Sequence, residues 1–200
     1  MPLIKLNNRS IKDVTSLPFG VGNLIHIQSQ TASNSASISF TTGIDSTYKE
    51  YQFYFIDIHA RTGGTEFSFQ CSTNGGSTYA TTVTSTSFVA YHYESDAATD
   101  LAYITADDQA QGTAFQRLIF NGSAGSGADE NMAGSLQLYN PSSTTYVKHF
   151  ISNINTLHGS AISVQCLYAG YYNTTSAINA VQFKMSSGNF DGTIAMFGVL

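Results

Sequence analysis

The residues that could do chemistry are few. Six carboxylates, Asp96, Asp100, Asp107, Asp108, Asp129 and Glu130, fall in segments that read as loops. Loop carboxylates can supply oxygen ligands to Ca²⁺, or a pair of them can hydrolyse a glycosidic bond. No EF-hand spacing is present, so the plain reading is a set of solvated loops. The five histidines, His26, His59, His92, His149 and His158, are scattered, and no two have the spacing of metal ligands. A Gly-x-Ser-x-Gly nucleophile turn is absent, and so are the glycine-rich phosphate loops. Gly125-Ser126-Gly127 is only superficially similar to the first of these. No catalytic residue, metal ligand or cofactor site is assigned from the sequence. Twelve tyrosines remain, with no tryptophan. Exposed tyrosines on a β surface can stack on sugar rings or form protein interfaces, although most must serve core and cross-strand packing.

The elements that must carry these residues are strands. Residues 48–79 set the pattern: an aromatic run Tyr51-Gln52-Phe53-Tyr54-Phe55-Ile56-Asp57-Ile58-His59, a turn at Arg61-Thr62-Gly63-Gly64, then Phe67-Ser68-Phe69-Gln70-Cys71 and a second turn at Asn74-Gly75-Gly76. In the second strand Phe67, Phe69 and Cys71 alternate with Glu66, Ser68 and Gln70, which predicts one apolar face and one wet face. The first strand is apolar on both faces: Tyr54, Ile56 and Ile58 on one, Tyr51, Phe53 and Phe55 on the other. Such a strand is expected to be central or covered on both sides. The expected core is Tyr54, Ile56, Ile58, Phe67, Phe69, Val181 and Phe183.

Along the rest of the chain, strands are expected at 23–29, 35–41, 81–86, 88–93, 101–105, 115–120, 134–139, 146–155, 162–172, 178–185 and 193–200. Residues 107–112 are the best place for a short helical turn, and residues 121–130, rich in glycine and small residues, read as the most flexible segment. About a dozen short strands and no helical periodicity predict an all-β protein, a single antiparallel β-sandwich of jelly-roll type over residues 23–200. Residues 1–22, ending in Pro18-Phe19-Gly20-Val21-Gly22, read as a short N-terminal arm that either docks on a neighbour or adds an edge strand.

Composition narrows the partners. Charged residues make up 10% of the 200, against about 25% in ordinary domains. Eight basic and thirteen acidic residues give a net charge of −5, with no Lys/Arg cluster. Nucleic acid and anionic membranes are therefore not expected partners. The first seven residues hold no continuous apolar run, so no secretory signal is expected, and no apolar run approaches the ~20 residues that span a bilayer. Asn8, Asn121 and Asn173 begin glycosylation sequons that such a setting leaves unused. Cys71 and Cys166 sit in apolar alternations and are expected to be free buried thiols.

Three stretches carry a resemblance. They are Leu3-Ile4-Lys5-Leu6-Asn7-Asn8-Arg9-Ser10-Ile11, then Ile44-Asp45-Ser46-Thr47-Tyr48-Lys49-Glu50-Tyr51 with Ser72-Thr73-Asn74-Gly75-Gly76-Ser77-Thr78-Tyr79, and the end, from Thr174-Thr175-Ser176-Ala177-Ile178-Asn179-Ala180 through Gly188 to Val199, with its close Gly192-Thr193-Ile194-Ala195-Met196-Phe197-Gly198. The chain resembles a family of small virion proteins of phages that infect aquatic bacteria. The resemblance implies a non-enzymatic structural role, as a capsid decoration or cement subunit, in a virion assembled in the host cytoplasm. Its partners would be copies of itself, in a trimer, and the major capsid protein or tail proteins. A glycan-binding module of a tail fibre or capsid surface, contacting host polysaccharide, is the alternative; a polysaccharide-degrading enzyme is a remoter one. The C-terminal strand, with Ile194, Met196 and Leu200 on one face and Ala195, Phe197 and Val199 on the other, is expected at or near the subunit interface.

Overall fold

The computed structural model describes residues 24–200, and the expected arm at residues 1–22 lies outside them. Among the described residues there are twelve strands: β1 Leu24–Ser35, β2 Ile38–Phe40, β3 Glu50–Ala60, β4 Phe67–Ser72, β5 Val83–Tyr93, β6 Thr99–Tyr103, β7 Gln116–Arg117, β8 Met132–Tyr139, β9 Lys148–His158, β10 Ile162–Tyr172, β11 Ala180–Met185 and β12 Phe190–Val199. They form two sheets, an eight-stranded one in the order β1-β12-β3-β8-β9-β10-β5-β6 and a four-stranded one in the order β2-β11-β4-β7. Every pairing is antiparallel. The two sheets pack face to face, so the chain is the all-β sandwich its alternation predicts, and the order is compatible with a jelly roll.

Phe183 of β11 lies at the centre of the core. Its ring meets Phe40 and Phe55 edge-on, Phe67 and Phe69 stacked and Phe53 tilted, with centroids 5.3–6.2 Å away. Phe67, Phe69, Val181 and Phe183 are buried as expected. The first long strand corrects the expectation. Tyr51, Phe53 and Phe55 face the core, whereas Tyr54 is half-exposed and Ile56 is 48% exposed on the outer face. Ile58 is nevertheless buried, because a bulge reverses the alternation between Phe55 and Ile58. Asp57 takes a φ of 51° there, and the partner strand β12 shifts register opposite, at Gly192. A Cβ on Gly192 would lie 2.5 Å from the Asp57 carbonyl oxygen, and its φ is +121°. Gly192→Ala is therefore expected to cost roughly 2 kcal/mol. Gly64→Ala, at φ +72° with open space around it, is the milder control in thermal melts; equal losses would show that the contact with β3 is immaterial.

The wet face expected for β4 is also corrected. Glu66, Ser68 and Gln70 are all buried, Gln70 at 0% exposure. The cover comes from residues 104–124, which cross the small sheet. Gln70 Nε2 donates to the Thr113 and Ala114 carbonyls, and the Lys184 ammonium lies 4.2 Å from the centre of the Phe115 ring. Residues 107–112, expected to hold a short helical turn, form no helix; the turn of this segment lies at residues 105–107. Residues 81–93, read as two strands, hold a single one, and the strand expected at 115–120 shrinks to β7. The segment expected to be flexible is tied down in part: Ser123, Ala124 and Gly125 are buried, and Ala124 exchanges backbone hydrogen bonds with Gly64 and Thr65.

Cys71 on β4 and Cys166 on β10 are both buried and free. Desolvation pushes the Cys166 thiol up to about 12 and Cys71 higher still. A thiol-reactive dye is expected to find no reactive group in the native protein and two after denaturation. Rapid native labelling would contradict the burial.

Candidate functional site

The six carboxylates do not form one site. Asp96 is exposed in the β5–β6 turn and reaches His92 Nε2 at 3.0 Å. Asp108 accepts from the Tyr103 hydroxyl, and Asp129 is exposed. Asp100 is on β6, not in a loop. Asp107 is buried at 2% exposure, which the loop reading missed. Its Oδ1 receives Arg117 Nη1 at 2.5 Å; its Oδ2 accepts from the Tyr168 hydroxyl at 2.9 Å and the Asn121 N–H at 3.1 Å. Arg117 Nη2 also lies 3.9 Å from Glu66, whose carboxylate accepts from the Gly122 N–H. This network ties the crossing segment to both sheets. Asp107 is buried with both oxygens engaged, so the cluster is built for structure. Among the described residues no group of three or more metal-ligating side chains occurs.

Glu130 is different. It is half-buried at one end of the sandwich. The His59 ring lies 2.6 Å from the Glu130 carbonyl through Nδ1, and the Gly127 N–H donates to the Glu130 carboxylate. Gly125 and Gly127 leave room for it, since a Cβ at either would lie within 2.9 Å of a carboxylate atom. The carboxylate borders a hollow of about 390 Å³, floored by the Gly63-Gly64 turn and the Gly125–Gly127 strip and walled by His158, Gly159 and Ser160. His158 and Ser160 also line a second hollow of about 260 Å³, whose walls are Tyr91, Tyr93 and Phe120 over Ile162 and Val164. The two adjoin through the shared His158 and Ser160, one lined by aromatic rings and the other polar, and are taken together as the end groove. It opens where the small sheet and the crossing segment stop short of the end of β5 and β10, leaving the inward-facing Tyr91 and Tyr93 half-exposed. Their rings stand edge to face at 6.0 Å. Only one carboxylate lines the groove, so the two-carboxylate arrangement of a glycosidase is not assembled there.

The second feature is the outer face of the eight-stranded sheet, which nothing in the described residues covers. Six large apolar side chains stand exposed on its outward positions: Leu24, Ile56, Phe88, Leu101, Tyr103 and Ile151. No lysine or arginine occupies an outward position on any of the eight strands; the carboxylates there are Glu50, at the start of β3, and Asp57 and Asp191, beside the β3 bulge, where Asp191 pairs with Arg61. A hollow of about 450 Å³ opens on this face around the small Ala169, between Ile151, Thr86, His149 and Tyr171.

β12 belongs to this face. Its Ile194 and Met196 point into the core, while Phe197 points outward and packs edge-on between His26 at 5.2 Å and Tyr54 at 5.5 Å. The neighbours β1 and β3 hydrogen-bond both of its edges, and Leu200 lies past its end, 71% exposed. Both faces are therefore apolar for different reasons, one as core and one as uncovered surface. No family model matches the chain, and no curated protein matches it.

Proposed function

We propose that the chain is a non-enzymatic structural subunit of a phage particle, a capsid decoration or cement protein that works as a homo-oligomer. The observation that carries this reading is the outer face of the large sheet, broad, apolar at six exposed positions and free of lysine and arginine. Soluble proteins rarely leave such a face bare, and charge depletion is the mark of an interface centre. Away from the end that holds Asp57 and the Arg61–Asp191 pair, burying it costs little desolvation, because Glu50 is the one ion there. The hollow at Ala169 offers a socket for a side chain of the opposing subunit. A trimer with β12 near the interface rests on the resemblance to virion proteins, together with the outward Phe197–Tyr54–His26 cluster.

Mass spectrometry of purified particles of the phage that encodes this chain tests the virion role. The expected result is the protein in stoichiometric register with the capsid lattice; its absence from intact particles would remove the reading.

A further inference from the structure

We infer that the groove at the end of the sandwich is a binding site for a neutral glycan, independent of the face used for assembly. The aromatic half supplies the apolar contact. Tyr91, Tyr93 and Phe120 are half-exposed there, and the face of an aromatic ring, which carries partial negative charge, attracts the C–H bonds on the flat side of a sugar. The polar half supplies direction. Ser160 N–H donates to His158 Nδ1 at 3.0 Å, so the neutral imidazole carries its proton on Nε2, as a donor. The Glu130 carboxylate is an acceptor held in place from two sides, by its own carbonyl on His59 and by the Gly127 N–H. Ser126 and Ser160 add hydroxyls that both give and take hydrogen bonds. Hydroxyl-bearing ligands need this mixture of donors and acceptors. An apolar wall with a few convergent polar groups is the ordinary composition of a small-molecule site. Nothing lies within 4 Å of where a Cβ on Gly64 would stand, so a flat ring can approach the backbone there.

Charge decides the class of glycan. No lysine or arginine lines either half of the groove, while Glu130 lines one and Asp100 pairs with Tyr91 across the strands on the same face. Uronic, sialylated and sulfated sugars would meet the Glu130 carboxylate with no cation in the lining to offset it. Tyr91, Tyr93, Ile162 and Val164 all lie on inward positions of their strands, so the groove stays open when the outer face is covered.

The test is a printed array of neutral and acidic glycans probed with the full chain, followed by titration of the best neutral oligosaccharide into wild type, Tyr91→Ala, Tyr93→Ala, Tyr93→Phe and Ser126→Trp. Neutral glycans are expected to bind and acidic ones not. Each alanine variant and the tryptophan, which fills the polar half from an exposed loop, should weaken binding by about tenfold or more, while Tyr93→Phe keeps most of it. Choline should not displace the sugar. An array without binders, a preference for acidic glycans, displacement by choline, or affinity unchanged in Ser126→Trp would each overturn the inference. The particle mass is read separately, so a failed assembly reading leaves this result intact.

Discussion

Replacing Phe183 with alanine is expected to destabilise the protein by about 3–5 kcal/mol, a fall in melting temperature on the order of 10 °C. Phe183 is fully buried, and five phenylalanine rings from both sheets surround it. Two of them, Phe67 and Phe69, are on the neighbouring strand β4, stacked at 15° and 21°. These rings are held by their own strands and cannot collapse into the gap, so the cavity adds to the lost transfer energy. Phe69→Ala should cost a similar amount, since Phe69 bridges Phe183 to Phe150 and Tyr172. Ile56→Ala, on the outer face of β3, should change stability by no more than about 0.5 kcal/mol in the unassembled chain. Urea unfolding of the three variants checks the assignment of faces. A large loss at Ile56 with little loss at Phe183 would show it to be reversed.

Arg117→Met is expected to be the most damaging change of a charged residue, at roughly 3 kcal/mol. It removes the 2.5 Å partner of a carboxylate that is otherwise shut away from water. The Tyr168 hydroxyl and the Asn121 N–H still hold Asp107, which keeps the loss from being larger. Converting the closer partner as well should recover much of it: Arg117→Met with Asp107→Asn removes the charge at Asp107 and leaves only Glu66, 3.9 Å from Arg117, without its cation. The surface pair Arg61–Asp191 sets the contrast. Arg61 holds the Asp191 carboxyl below the usual range, yet the pair is open to water, and Arg61→Met should cost well under about 1 kcal/mol. If the double variant proves no more stable than Arg117→Met, the penalty does not come from the stranded carboxylate.

Strand content was legible wherever one face met the core and the other met water. Residues 162–172 alternate apolar and polar, and β10 spans that stretch. Legibility failed where alternation carried no information. In β3 both faces are aromatic, and the bulge at Asp57 moved Ile58 back into the core after Tyr54 and Ile56 had turned out. In β4 the sequence shows polar residues at 66, 68 and 70, but a segment some forty residues away covers them. The buried Asp107 escaped notice for the same reason, since Arg117 and Tyr168 reach it from ten and sixty-one residues away. The end groove had no linear signature at all. Its walls come from the β3–β4 turn, the glycine strip before β8, the β9–β10 turn and the tip of β5, and only the fold brings them together. The outer face left one trace in the sequence, the shortage of charge, which is most complete on the strands of the large sheet.

The structural role stands or falls with that face being an interface. Light scattering coupled to size exclusion, on the wild-type chain at micromolar concentration and on Ile56→Lys, measures it directly. The expected wild-type mass is an integer multiple of 21.5 kDa, three-fold for a trimer, and the lysine variant should fall to the single-chain mass with its melting curve otherwise intact. A wild-type protein that elutes as a monodisperse 21.5 kDa particle, or an oligomer that Ile56→Lys leaves untouched, contradicts assembly through the large sheet.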